Sequence, residues 1–163
     1  MWGKLLGIII AAFLLGWTTH IIAVGPDVPV EAPVAQEPKL TLEQPSPSDW
    51  VQQSQIHLTG DQVIIDLEDP QWAVFTNTNS MDPVIDETSH AIQRVPKSEK
   101  EIHVGDIISY ESSSLDSIVI HRVVEIGDDG EWYARTKGDN NPYKDPSKVR
   151  FSKIKRVLVA VIY

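Results

Sequence analysis

The chain has no cysteine among its 163 residues. Disulfide bonds, thiolate metal sites and cysteine-protease chemistry are therefore excluded. The absence leaves the compartment open, because an exported protein need not carry disulfides. The five histidines are scattered along the chain and form no H-x-x-x-H pair. Neither a metal site nor any other cofactor is therefore predicted.

The chain also lacks an excess of positive charge, since its formal net charge is −9 at pH 7. A nucleic-acid surface needs clustered Lys and Arg to contact phosphates, so nucleic acid is not predicted as a partner. Basic residues do gather near the C-terminus, in the flank of a predicted terminal strand: Lys148, Arg150, Lys153, Lys155 and Arg156. Hydrophobic residues make up 42% of the chain, which is enough for a folded core.

Charged side chains are absent from residues 5–24, which read LLGIIIAAFLLGWTTHIIAV. At ~1.5 Å per residue, a helix of this length spans roughly 30 Å, the thickness of a bilayer core. Lys4 precedes the stretch, while Asp27 and Glu31 follow it. The positive-inside rule then puts the N-terminus in the cytoplasm. We predict a single-pass transmembrane anchor over residues 1–24 in the cell membrane, with the remainder extracytoplasmic.

A cleavable signal peptide, with small residues at 23–25 as its cleavage site, is the alternative for this segment. A signal peptide would export the rest of the chain as well.

The segment after residue 24 is different in character, because six of the eleven prolines fall within residues 25–47, mixed with acidic residues. Proline lacks a backbone donor and favours extended polyproline II structure. Residues 25–48 are therefore predicted to be a Pro-rich acidic tether.

Amphipathic helices of convincing length are missing from residues 49–163. Segments rich in β-branched and aromatic residues are present instead, separated by Gly- and Asp-containing turns. These segments are residues 62–68, 72–78, 106–112, 117–126, 131–137 and 154–163. We therefore predict a mainly β domain with closed or Greek-key-like sheets.

Polar residues with catalytic potential lie on these strands and turns. Ser80 follows a strand in the segment NTNSMDP, His121 interrupts an apolar strand, and Asp139 and Asp145 follow a third. A serine nucleophile needs a base within hydrogen-bond reach, which histidine can be, and a carboxylate can orient the imidazole. The residues alone leave another interpretation open, in which Ser80 is a turn residue and His121 a half-buried strand histidine.

Four segments occur in one order: NSMDP (79–83), VGDIISY (104–110), IVIHRV (118–123) and TKGDNNPYKD (136–145). Together they resemble the motif boxes of signal peptidase I in its archaeal and endoplasmic-reticulum form. That family carries a G-S-M-x-P box, a G-D-I/V strand, an H-R-V box and a T-K-G-D-N-N-x-x-x-D box. The resemblance covers roughly residues 72–146. It implies a signal-peptidase-like β-fold catalytic domain with one N-terminal transmembrane helix.

The resemblance implies roles for five residues. Ser80 corresponds to the nucleophile and His121 to the general base of a serine endopeptidase. Asp145 matches the acid of the catalytic set, and Asp139 matches a second aspartate that supports or orients the site. The backbone N–H of Ser80 and the hydroxyl of Thr78 correspond to the oxyanion donors. Thr78 as an ordinary strand-end threonine remains an alternative.

Four further positions lie within the motif boxes. Pro83 is expected to stiffen the turn after the nucleophile, and Met81 to pack near the substrate groove. Lys137 is the rival base, but a lysine base requires strong desolvation, so we predict a charged lysine that structures its turn. Asn79 stands where the family usually has glycine. If the backbone there requires a positive φ, asparagine is the next most tolerant residue.

We therefore expect a membrane-anchored serine endopeptidase that cleaves exported proteins, with signal peptides as the implied target. The substrate would be an extended polypeptide that adds to a sheet edge. The secretion machinery is a candidate partner. Two alternatives stay open: a catalytically silent relative that binds extended peptides or a partner outside the membrane, and a tethered β-domain of purely structural use.

Overall fold

The computed structural model describes residues 44–163. The predicted anchor over residues 1–24 and the tether up to residue 43 lie outside the described residues. In the part of the chain that is described, no helix combines the length and apolar character needed to cross a bilayer.

The described residues are built mainly from β-strands that pair antiparallel. The strands are β1 (Ile56–Thr59), β2 (Gln62–Ile65), β3 (Gln71–Val74), β4 (His90–Arg94), β5 (Ile107–Ser112), β6 (Ser117–Asp128), β7 (Trp132–Lys137), β8 (Val149–Arg150) and β9 (Ile154–Ile162). Helical structure among residues 44–163 is confined to three 3-10 turns, at Gln53–Gln55, Glu99–Glu101 and Phe151–Lys153. The prediction of a mainly β domain is confirmed.

The strands form two sheets. β1 and β2 make a separate hairpin, while the other seven strands lie in the order β3-β4-β9-β5-β6-β7-β8. The C-terminal strand β9 thus lies between β4 and β5, and it pairs antiparallel with both. Strands that are distant in the chain are therefore neighbours in the centre of the sheet, and β3, which precedes Ser80, is at one end.

The central strand β5 is buried on both faces because core clusters lie on either side of it. Ile107 belongs to a cluster with Met81 and Leu158, while Ile108 and Tyr110 belong to a second cluster. Successive side chains of a strand point to opposite faces, so neighbouring residues of β5 enter different clusters. Residues 107–110 are accordingly all buried, although Ser109 among them is polar.

The end of the predicted tether is held by a buried carboxylate. Asp106 is 0% exposed. It accepts hydrogen bonds from the Ser48 N–H (2.7 Å), Trp50 Nε1 (3.0 Å) and the His103 N–H (2.8 Å). A buried carboxylate without such donors would be strongly unfavourable. Asp106 therefore fixes the residues that lead into the domain.

Gly105 adopts a φ of 107°, and a Cβ at this position would collide with the Ser46 carbonyl group. Gly130 has a similar φ of 102°, but a Cβ there would meet nothing within 4 Å. We predict that Gly130→Ala lowers the free energy of unfolding by about 1 to 2 kcal/mol through backbone strain alone. Gly105→Ala should cost roughly 2 kcal/mol more, because the segment at Ser46 must also move.

Urea unfolding of both variants measures this difference. Equal losses would show that the close approach of residues 45–46 to Gly105 contributes nothing to stability.

Candidate active site

Ser80 lies in the connection between β3 and β4, at the start of a tight turn. The Met81 carbonyl accepts hydrogen bonds from the backbone N–H groups of Val84 (2.9 Å) and Ile85 (3.0 Å). Met81 is only 2% exposed and packs in the same core cluster as Ile85. The buried methionine anchors the turn, while Ser80 beside it remains partly exposed.

A second turn, after β7, holds the backbone of Ser80. The Ser80 carbonyl accepts a hydrogen bond from the Asn140 N–H at 3.0 Å, and the Asn79 carbonyl accepts one from Asn140 Nδ2 at 2.9 Å. Gly138 comes so close that a Cβ there would lie 2.5 Å from the Ser80 carbonyl oxygen. The TKGDNN segment thus fixes the candidate nucleophile through its backbone.

Asn79 adopts a φ of 56°, in the left-handed region. Glycine is the residue that enters this region at least cost, and asparagine is among the non-glycine residues that tolerate it best. The backbone at residue 79 therefore does require a positive φ, which is the case in which asparagine can replace the glycine of the family motif. The same conformation suits either glycine or asparagine.

His121 is paired with Asp145. It lies on β6 opposite Ile108 of β5, and its Nδ1 is 2.7 Å from Asp145 Oδ2. The two side chains are 9% and 19% exposed. A carboxylate only accepts hydrogen bonds, so Nδ1 carries the proton and Nε2 is the acceptor of the neutral ring. This is the tautomer that a histidine base requires.

The Asp145 carboxylate is held by two further donors. Thr136 Oγ1 donates to Asp145 Oδ2 at 2.7 Å, and the Tyr110 hydroxyl donates at 2.9 Å. Burial raises the pKa of the Asp145 carboxyl, but hydrogen bonds from His121, Thr136 and Tyr110 outweigh burial and place that pKa below its ordinary value. Burial also raises the pKa of Tyr110. The tyrosine therefore stays protonated as a donor to a charged carboxylate.

Asp139 has a different partner. Its carboxylate accepts two hydrogen bonds from Arg122, from Nε at 2.7 Å and from the terminal nitrogen Nη2 at 2.6 Å. Both side chains are 6% exposed. Arg122 also donates to the carbonyls of Gly105 (2.9 Å) and Pro45 (3.2 Å). Asp145 is thus the aspartate that contacts His121, while Asp139 joins the turn after β7 to β6 and to the start of the domain.

A groove of about 970 Å³ brings these residues to a common surface, because Thr78, Ser80, Met81 and His121 all line it. The Ser80 and Thr78 hydroxyl oxygens lie 3.2 Å apart. Within residues 44–163, the hydrogen-bond partner of the Ser80 hydroxyl is therefore Thr78 and not His121. The groove therefore contains the Ser80 hydroxyl, the His121 imidazole with an acceptor nitrogen and the Thr78 hydroxyl. Such a set of groups can support acyl transfer.

The two remaining predicted residues, Pro83 and Lys137, do not line the groove. Pro83 is exposed in the turn after Ser80 and does not line the groove. Lys137 Nζ donates to the Gly138 carbonyl at 3.1 Å and lies 3.5 Å from the Asp139 carbonyl oxygen, so it caps its own turn. Among residues 44–163, no cluster of His, Asp or Glu has the arrangement of a metal site.

Sequence reasoning missed the supporting residues of the site, although all of them lie in the motif segments. Tyr110 ends the VGDIISY segment, Arg122 follows His121, and Thr136, Gly138 and Asn140 belong to TKGDNN. These residues contact carboxylates or backbone groups, and their residue types alone do not distinguish them from ordinary structural residues. The signal available in the sequence was their adjacency to the predicted catalytic residues.

We predict that Asn79→Gly leaves the free energy of unfolding within about 0.5 kcal/mol of wild type, whereas Asn79→Ala lowers it by about 1 to 2 kcal/mol. The reason is that only the backbone conformation at this exposed position is demanding. Chemical denaturation of the two variants measures the effect. A loss for Asn79→Gly as large as that for Asn79→Ala would contradict it, because the asparagine side chain would then be essential.

Asp145→Asn should lower the free energy of unfolding at pH 7 by about 1 to 3 kcal/mol, because three donors lose a charged acceptor. The folded-state pKa of Asp145 is lowered, so its stabilisation is present above the unfolded-state pKa of about 3.9. It is lost as the pH falls through the folded-state pKa. The difference between wild type and Asp145→Asn should therefore shrink as the pH falls below about 4.

Urea titrations at several pH values test this, with Asp61→Asn on the exposed turn between β1 and β2 as the control. The control should differ little from wild type at any pH. A gap for Asp145→Asn that is unchanged at acid pH would contradict the expected linkage.

The chain was compared with known protein families, curated proteins and solved structures, and no relative was found. No protein-family model, no curated protein and no solved structure matches the chain. The likeness to signal peptidase I therefore rests on the four motif segments of the sequence alone.

Proposed function

We propose that the protein is a serine endopeptidase of the signal peptidase type, anchored in the cell membrane by residues 5–24 and active on the extracytoplasmic side. The observation that carries the proposal is that Ser80 and His121 line one groove while Asp145 binds Nδ1 of His121. The order of these residues along the chain and the four motif segments around them support the same assignment.

The proposed reaction is peptide hydrolysis through an acyl-enzyme. His121 Nε2 takes the proton of Ser80 Oγ as the oxygen attacks the substrate carbonyl, and the imidazolium then protonates the leaving amine. Asp145 stays ionised and stabilises that imidazolium. Water, activated by His121, releases the acyl group and restores Ser80.

The developing oxyanion requires donors beside the nucleophile. The Thr78 hydroxyl, 3.2 Å from Ser80 Oγ, is one proposed donor, and the Ser80 backbone N–H is the other. Because the Asn140 N–H and Asn140 Nδ2 hold the carbonyls of Ser80 and Asn79, the backbone that carries this donor is held in place before substrate binds. Preorganised donors are more effective than donors that must reorient during the reaction.

The proposed substrate is an extended segment of an exported protein. β3 ends the seven-stranded sheet, and three of its residues, Gln71, Ala73 and Val74, line the groove together with Phe75, which follows the strand. An extended chain can add to such an edge through main-chain hydrogen bonds. Signal peptides are the substrate that the family resemblance suggests, and the secretion machinery is the corresponding candidate partner.

A catalytically silent, peptide-binding protein is a second candidate. One observation favours it: the Ser80 hydroxyl is paired with Thr78 and not with His121. In this function the groove and the edge of β3 would bind extended peptides or a partner outside the membrane without cleaving them.

Ser80→Ala and His121→Ala should each lower processing of a co-expressed secretory preprotein by about a thousandfold or more, because each removes part of a concerted nucleophile and base. The full-length chain is used, and processing is followed by the mobility of the preprotein on gels. Ser113→Ala, on the exposed turn between β5 and β6, is the matched control and should process normally.

Processing that survives both substitutions would rule out the mechanism. A folded wild-type protein that processes no exported protein but binds extended peptides would support the silent, peptide-binding function instead.

A further inference from the structure

The groove that contains Ser80 has a polar strip across its floor. Four adjacent strands each contribute one residue to it: Gln71 from β3, Gln93 from β4, Arg156 from β9 and Ser109 from β5. Ser109 is in register with Arg156, and Gln71 with Gln93. Gln93 Nε2 donates to Ser109 Oγ at 2.7 Å, and both residues are more than nine-tenths buried.

Apart from this strip, the groove is lined by both polar and apolar side chains, and the polar ones include the carboxylate of Asp86. Side chains such as Phe75, Met81, Ile85 and Ile120 line the same groove. Pockets that bind extended ligands commonly combine apolar walls with a few placed polar groups, and those polar groups determine which ligand fits.

Arg156 supplies a positive charge to this floor, although the chain as a whole is acidic. Its side chain is 22% exposed. One terminal nitrogen, Nη1, donates to the Asp69 carbonyl at 3.0 Å and lies 3.7 Å from the exposed Asp69 carboxylate. A guanidinium has five N–H donors, so this contact leaves others for a ligand. Lys155, which also lines the groove, is occupied by Glu111 at 2.6 Å.

We propose that Arg156 is a specificity-determining residue that selects substrates with an acidic side chain a few residues from the scissile bond. The proposal rests on the proposed peptidase function. His121 lies on β6 and Arg156 on β9, with β5 between them. His121 is in register with Ile108 of β5 and Arg156 with Ser109, so the two side chains leave opposite faces of the sheet, yet both line the groove. An extended chain that contacts both residues would therefore place its acidic side chain a few positions from the scissile bond.

A carboxylate is the ligand that matches this subsite. The planar guanidinium binds a carboxylate through two parallel hydrogen bonds, which a neutral amide cannot reproduce. The apolar walls reduce the access of water and so strengthen the interaction of the two charges. Asp69 occupies part of the guanidinium and competes with the substrate carboxylate for it.

The experiment uses pairs of fluorogenic peptides that differ only by Glu or Gln, placed in turn at each position up to five residues on either side of a small-residue cleavage site. The full-length protein should show kcat/KM about tenfold higher for Glu than for Gln at one position. In Arg156→Gln the Glu/Gln ratio should fall to about one, whereas in Asp69→Asn it should rise. Asparagine suits the φ of 48° at residue 69.

A second measurement separates this proposal from the proposed function. Binding of the same peptides to Ser80→Ala, measured by fluorescence anisotropy, reports the groove without any cleavage. A tighter complex with the Glu peptide, abolished by Arg156→Gln, would support the subsite even if wild type cleaved no peptide.

A Glu/Gln ratio of about one at every position in wild type would overturn the proposal, as would an Arg156→Gln variant that retains the preference. Cleavage that depends on Ser80 but shows no Glu preference would leave the peptidase function in place and remove the subsite alone.

Discussion

The alternation of side chains along β6 is the constraint on which the site depends. His121 and Arg122 are consecutive, so a strand directs them to opposite faces of the sheet. Each then pairs with an aspartate from the connection between β7 and β8, His121 with Asp145 and Arg122 with Asp139. One loop is thereby held at two points by adjacent residues of one strand.

This double attachment has a consequence for the candidate nucleophile. The same loop contains Gly138 and Asn140, which contact the backbone of Asn79 and Ser80. The position of Ser80 relative to His121 is therefore determined through the loop and not through a direct bond between the two side chains. Because Arg122 also binds the Pro45 carbonyl, the end of the tether joins this network.

The polar groups of the site differ in how burial affects them. Asp145 is charged because three donors outweigh the cost of burial, whereas Tyr110 stays neutral because burial disfavours its anion. Asp106, with no exposed surface, depends on three N–H donors near the chain entry. The hydrogen bonds thus keep the carboxylate beside His121 charged, and a charged carboxylate at Nδ1 is what orients a histidine base.

The amino-acid sequence by itself determined the mainly β character of the domain and the strands rich in β-branched and aromatic residues, such as β5, β6 and β9. It did not reveal β1, β4 or β8, because IHLT and HAIQR are short and mixed in polarity and a two-residue strand has no periodicity to detect. The predicted strand over 72–78 ends at Val74, because residues 75–80 turn away toward the groove.

The sequence likewise indicated Ser80, His121 and Asp145 as one set through their motif segments, but two aspartates remained equivalent partners for the histidine. Only the tertiary structure decided between them, since the choice depends on which face of β6 each carboxylate reaches. It also decided that Asn79 has a positive φ and that Arg156 lies in the groove. These properties arise from contacts between residues far apart in the chain, and local sequence patterns carry no record of such contacts.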